Sequence, residues 1–227
     1  MGTVFSFAIA DEGDWTEALR DAVDWLHRVD RTFSTYRPDS AISRIRRGEH
    51  VHDPLVERVL DLCDDYEQQT GGAFSAHLPG GLDPSGLVKG WAVEWASDVL
   101  REHGSSNHAV NGGGDVQLAG EAAPGRPWRV GIADPFDRTR VLTTVEGRDL
   151  AVATSGTGER GTHLVDPRSG RTAEAFASVT VIGRELTRVD VAATAAFVMG
   201  SDAQQWLRDQ GLEGVLVDLH GSVTRTH

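Results

Sequence analysis

Residues 151–170 read A-V-A-T-S-G-T-G-E-R-G-T-H-L-V-D-P-R-S-G, and residues 178–197 read S-V-T-V-I-G-R-E-L-T-R-V-D-V-A-A-T-A-A-F. Alternation over 178–182 predicts a strand, and the Ala-rich run after it predicts a helix from Asp190 to Met199. Asp190 and Thr194 stand four residues apart in that pattern, so their oxygens project from one helix face. His163 sits in a short apolar run, T-H-L-V, that stops at Asp166-Pro167, which places the imidazole on a strand edge beside a turn. A base-capable imidazole close in sequence to two hard oxygen donors is the raw material of metal-assisted phosphoryl chemistry.

Outward from that stretch, strands are expected at 3–10, 127–133, 140–146, 150–154 and 214–219. Trp15, Ala18, Leu19, Ala22, Val23, Leu26 and Val29 follow helical spacing over 14–29, with Asp14 as N-cap. Further helices are expected at 53–69, from near Ser85 to about Arg101, and at 201–210. Residues 107–119 read as strand, glycine turn, strand. Gly112-Gly113-Gly114 matches neither G-x-G-x-x-G nor the Walker pattern; it is either a hairpin bend, the simpler reading, or a place where backbone amides approach a phosphate. Strands and helices intermix without regular βαβ alternation, which predicts an α+β fold built as one compact two-lobed unit over 1–227.

Two loops carry more polar chemistry than a connection needs. The segment 30–47 mixes hydroxyls, arginines and Tyr36 before a Pro-Asp turn; it reads equally as a solvated loop and as one that meets a ligand ring. Gly/Pro density marks 71–84 as a loop feeding the helix at Ser85. Asp83 sits where an N-cap belongs, and Lys89 lies about one turn inside, where a helix N-terminus and an ammonium together attract phosphate.

Composition narrows the function classes. The net charge of -12 and the lack of a basic tract argue against nucleic acid. Mean hydropathy is -0.30 and no run is long enough to span a bilayer. Met1 leads into an apolar strand with neither basic flank nor cleavage site, so the chain as given is expected in the cytoplasm. The single cysteine, Cys63, excludes an internal disulfide and reads as helix filling. Of 22 basic side chains one is Lys89 and the other 21 are arginines. Either a compact point charge is needed at 89 or the codon bias of the genome spared one lysine.

Taken in order, Met1-Gly2-Thr3, F-S-T-Y-R-P-D-S-A-I-S-R, G-G-A-F, D-P-S-G-L-V-K-G-W-A-V, N-G-G-G-D, A-T-S-G, H-L-V-D-P-R-S-G and V-D-V-A-A-T-A resemble the ApbE family of flavin transferases. The resemblance covers nearly the whole chain and implies an ApbE-like, T-fold-like arrangement of mixed sheets with packed helices. It implies FAD as donor substrate, Mg²⁺ or another divalent cation, and transfer of FMN to a threonine or serine motif of an acceptor protein, with AMP released. By residue, it implies a metal held by Asp190, Thr194 and the Gly86 carbonyl. FAD contacts would come from Met1, Tyr36, Ala73, Phe74, Asp83 and Lys89, with His163 as base unless Asp166 merely anchors that imidazole. The same site could instead hydrolyse FAD to FMN and AMP, or bind FAD without catalysis. The sequence departs from the family pattern at Ser75, Arg46 and Gly158, and in the short Ser75–Leu82 segment.

Overall fold

The computed structural model describes residues 2–157 and 164–226. Seven strands form one antiparallel sheet in the order β1-β4-β5-β8-β9-β10-β11. They are β1 (Phe5–Ile9), β4 (His108–Gly112), β5 (Asp115–Ala119), β8 (Ala151–Gly156), β9 (Phe176–Gly183), β10 (Glu213–Asp218) and β11 (Val223–Thr226). Helices α4 (Ser85–Glu102), α5 (Leu186–Met199) and α6 (Ala203–Asp209) cover one face, and α1 (Thr16–Phe33) packs over α4. A separate hairpin, β6 (Trp128–Ala133) with β7 (Val141–Gly147), covers the other face. The fold is α+β, as expected, with helices segregated to one side of an antiparallel sheet.

Register explains why strand β9 carries apolar residues on both faces. Val179 and Val181 enter the main core under the helices, while Val152 and Ile182 pack with Ile132 and Val215 under the hairpin. Thr180, fully buried on the hairpin face, is tolerated because its hydroxyl meets that of Thr154, its register partner, at 2.9 Å. On the helix side, α1 buries Ala18, Ala22, Leu26, Val29 and Phe33 at three- and four-residue steps. Trp25 stacks on Trp95 and meets Trp91 edge-on, both at 5.1 Å between centroids, joining α1 to α4. Cys63 is 1% exposed in α3 (Pro54–Gln69), and burial pushes its thiol up to about 12, so it is core filling.

Several boundaries differ from expectation. Helix α5 starts at Leu186, not Asp190, because its first N–H groups have distant acceptors: Leu186 N–H donates to Gln117 Oε1 at 3.0 Å and Thr187 N–H to Glu94 Oε2 at 2.7 Å. The segment read as a loop over 30–47 contains the end of α1 and a short helix, α2 (Ala41–Arg46), capped by Ser40, whose Oγ accepts from Ser43 N–H at 3.1 Å. The Gly/Pro stretch contains a small hairpin of β2 (His77–Leu78) and β3 (Gly81–Leu82). Strand β11 was not anticipated. The N-cap of the first helix is Trp15 and not Asp14, which precedes it, although Asp14 Oδ1 accepts from Thr16 N–H at 3.0 Å.

Candidate active site

Helices α4 and α5 cross at Gly90, and the site is built around that crossing. A Cβ on Gly90 would lie 2.7 Å from Asp190 Cβ and 2.8 Å from the Leu186 carbonyl, so no side chain fits there. The Gly90 N–H donates to Asp190 Oδ2 at 2.9 Å. In a regular helix that N–H belongs to the Gly86 carbonyl. Having one hydrogen, it leaves that carbonyl with at most a shared partner and with lone pairs to offer elsewhere.

Thr194, one turn beyond Asp190, shares a hydrogen bond of 3.1 Å with Ser155 at the end of β8. A Cβ on Gly86 would stand 4.0 Å from Thr194 Oγ1, so the first turn of α4 lies against it. Gly86, Asp190 and Thr194 are therefore brought together. Gly86 and Thr194 line a cleft of about 400 Å³; Asp190, 2% exposed, lies deeper along α5.

Lys89 lies beside this trio. Its ammonium ion-pairs with Asp115 Oδ2 and stands 3.7 Å from Asp190 Oδ1. Asp115 is fully buried, and its other oxygen accepts from Thr154 N–H at 3.0 Å. Two buried carboxylates, Asp115 and Asp190, thus flank the one ammonium. Asp115 was not among the expected site residues. The N-G-G-G-D run drew attention only for its glycines, although an aspartate entering an apolar strand pattern was the available signal.

The remaining candidates surround the same helix end. Phe74 and Ala73, both buried, form one wall of the cleft, and Leu164 and Pro167 form another. Asp83 lines it while its Oδ1 accepts from Ser85 N–H at 3.0 Å, one residue ahead of Pro84, which is the N-cap of α4 in place of the expected Asp83. Tyr36, 78% exposed, shares a small hollow with Ser85 and Lys89. At the rim, Arg46 donates to the Gly80 carbonyl at 2.8 Å, fastening the short β2–β3 turn. Ser75 donates to Glu67 Oε2 at 2.6 Å and accepts from His77 N–H at 2.9 Å. Met1 and His163 lie outside the described residues. Just past His163, Asp166 accepts from Arg168 N–H, Arg168 Nε and Ser169 Oγ at 2.9 to 3.1 Å. The Arg168 guanidinium holds that carboxyl below the usual carboxylate range.

Among the described residues no three His, Cys, Asp or Glu side chains converge on a metal position. The available donors at the crossing are a carboxylate, a hydroxyl and a carbonyl, all oxygen. That set suits a hard divalent cation that completes its shell with substrate oxygens and water.

A family model described as the ApbE family matches residues 1–79 and 76–216. A FAD:protein FMN transferase from Vibrio cholerae is 36% identical over 131 residues, which are 53% of this chain and 39% of that protein. One from Rhodobacter capsulatus is 34% identical over 218 residues, 92% of this chain and 39% of that protein. The chain thus spans about two fifths of the length of these two curated relatives. Among solved structures, the ApbE protein from Thermotoga maritima superposes with a TM-score of 0.89 at 21% identity, covering 100% of this chain and 94% of that one. The flavin transferase ApbE from Vibrio cholerae gives 0.85 at 23%, with the same coverage.

Proposed function

The chain belongs to the ApbE family, and from that premise we propose that it transfers FMN from FAD to a threonine or serine hydroxyl of an acceptor protein, releasing AMP. The observation that carries this reading is the meeting of Gly86, Lys89, Asp190 and Thr194 at one helix crossing that opens on a cleft. The names of the relatives supply the donor and the class of acceptor.

In this reading FAD lies along the start of α4. Phe74 and Ala73 pack against it, Tyr36 meets it from the exposed side, and Asp83 fixes its polar edge. Met1 adds a further contact. Lys89 and the amino end of α4 attract the pyrophosphate. Asp190, Thr194 and the Gly86 carbonyl would hold Mg²⁺, which when bound offsets negative charge on the transferring phosphoryl group. His163 takes the proton from the acceptor hydroxyl. The hydroxyl oxygen bonds to the FMN phosphorus, the bond from that phosphorus to the bridging oxygen breaks, and AMP leaves with that oxygen.

Incubation with FAD, Mg²⁺ and a hydroxyl-bearing acceptor peptide, read by mass spectrometry, tests this. Peptide gaining one FMN with equimolar AMP is expected. AMP without labelled peptide would replace transfer with hydrolysis, and FAD bound without AMP would leave only a binding module.

A further inference from the structure

We propose that the groove between strand β6 and the ends of β8 and β9 is where the acceptor protein docks. It binds as an extended segment that adds to the open edge of β6 and brings its hydroxyl round the end of the sheet. This rests on the transfer reading above and assigns the place of the second substrate.

The groove has a volume of about 130 Å³ and lies on the hairpin face of the sheet, away from the cleft that Gly86 and Thr194 line on the helix side. Four consecutive residues of β6, 130–133, form one wall. Side chains of a strand alternate between its two faces, so a wall of consecutive residues is an edge and not a face. Strand β6 pairs with β7, and among the described residues no other strand pairs with it. An unpaired edge accepts an added strand, whose main chain bonds to the exposed backbone groups.

The floor of the groove holds an unsatisfied hydroxyl. Ser178 lines it at 5% exposure, and its Oγ is buried with no hydrogen-bond partner. Standing two positions before Thr180 on β9, it faces the hairpin side, as Thr180 does. Buried hydroxyls are nearly always bonded, so this one is left for a polar group of the occupant. Gly114, Gly156 and Ala177 carry nothing larger than a methyl group here, which lets a main chain come close.

The groove also adjoins the reaction site. Thr154 lines it from one face of β8, while Ser155, the next residue, bonds Thr194 on the other face. Thr154 N–H donates to Asp115 Oδ1, and Asp115 is the residue that Lys89 contacts directly. A segment held in the groove therefore reaches the same end of the sheet as the phosphoryl site. FAD keeps the larger cleft, of about 400 Å³, on the helix side.

The test uses the whole chain with FAD, Mg²⁺ and blocked decapeptides in which one central threonine stands among glycine and alanine, read by mass spectrometry. Ser178→Val, which fills the floor, is expected to raise the peptide KM about tenfold or more, while FAD affinity by flavin fluorescence stays within about twofold of the parent. Two forms of the peptide, N-methylated at alternate residues in opposite phase, should differ: one is labelled like the unmodified peptide and the other is not. Only alternate amides of an added strand face the edge. Near-ultraviolet circular dichroism checks folding; where Ser178→Val does not fold, Ser178→Ala serves, with a KM rise of about fivefold. Peptide labelling that ignores both the variant and the phase of methylation would overturn the docking site and leave transfer standing. A loss of FAD affinity in Ser178→Val would overturn it by giving the groove to FAD. AMP with no labelled peptide, or no AMP, would overturn docking and transfer together.

Discussion

The Gly90 N–H and the Asp190 carboxylate meet at 2.9 Å across the α4–α5 crossing, and the contact exists only because position 90 has no side chain. A methyl group there would sit 2.7 Å from Asp190 Cβ and 2.8 Å from the Leu186 carbonyl, so the helices would have to separate. Overpacking of this kind costs about 1–3 kcal/mol. Gly90→Ala is therefore expected to lower the melting temperature and to weaken metal binding together. A Gly90→Ala protein with parental melting and parental Mn²⁺ affinity would show that the crossing does not set the site.

Thr194→Val separates the ligand role of the hydroxyl from its structural one. The volume is nearly conserved, and the structural loss is a single hydrogen bond to Ser155, worth about 1 kcal/mol. Stability should change by about that much while Mg²⁺-dependent turnover falls at least tenfold, as removal of an oxygen ligand predicts. Unchanged Mg²⁺ response in kinetics would remove Thr194 from the metal set.

Asp190→Ala should reduce turnover and flatten its dependence on Mg²⁺ concentration. The variant leaves Lys89 with Asp115, the carboxylate it contacts directly, so folding is expected. Turnover titrated against Mg²⁺ decides this: a parental midpoint would mean that the cation is held elsewhere.

The same residues show what could be read from the chain and what could not. Asp190, Thr194 and Gly86 fall together because helical periodicity places the first two on one face, and the family motif carries the third. The lone lysine pointed to a special charge at 89, and the structure gives it two buried carboxylates. Asp115 escaped because its partner comes 26 positions earlier on another element, a pairing that no local pattern encodes. The start of α5 escaped for the same reason, its caps being Gln117 and Glu94, 69 and 93 residues away. Helix α2 is a different failure: Ser40 as N-cap was visible in the sequence, but the Pro-Asp turn before it outweighed the short apolar spacing of Ile42 and Ile45.

For His163, base catalysis is worth about 10²–10⁴-fold. His163→Ala is expected to slow transfer by that factor while FAD affinity, measured by flavin fluorescence, stays within about twofold of the parent. That margin lies well inside one factor of ten, or 1.4 kcal/mol. Transfer at the parental rate would mean another group accepts the proton.

Acid stability depends on a histidine away from the cleft. His108, fully buried on β4, has Ser97 Oγ at 2.8 Å from Nε2 and Ser105 Oγ at 2.8 Å from Nδ1. Because Ser105 donates its own proton to Asp11 Oδ2 at 3.0 Å, the neutral imidazole carries its hydrogen on Nδ1, which donates to Ser105, and its Nε2 accepts from Ser97. Burial, helped by the Arg101 charge, pulls its pKa from 6.5 down to about 4. Between those values the unfolded chain binds a proton that the folded chain refuses, so stability is complete above about pH 6.5 and is lost as pH falls toward 4. The loss is at most about 3 kcal/mol. Asp11, whose carboxyl is held below its usual range by bonds from Asn107, Ser105 and Ser106, acts only at still lower pH, so the two windows separate. Urea unfolding at pH 7, 5.5 and 4.5 should show this slope in the parent and a shallower one in His108→Gln, and equal slopes would assign the acid loss to carboxylates instead.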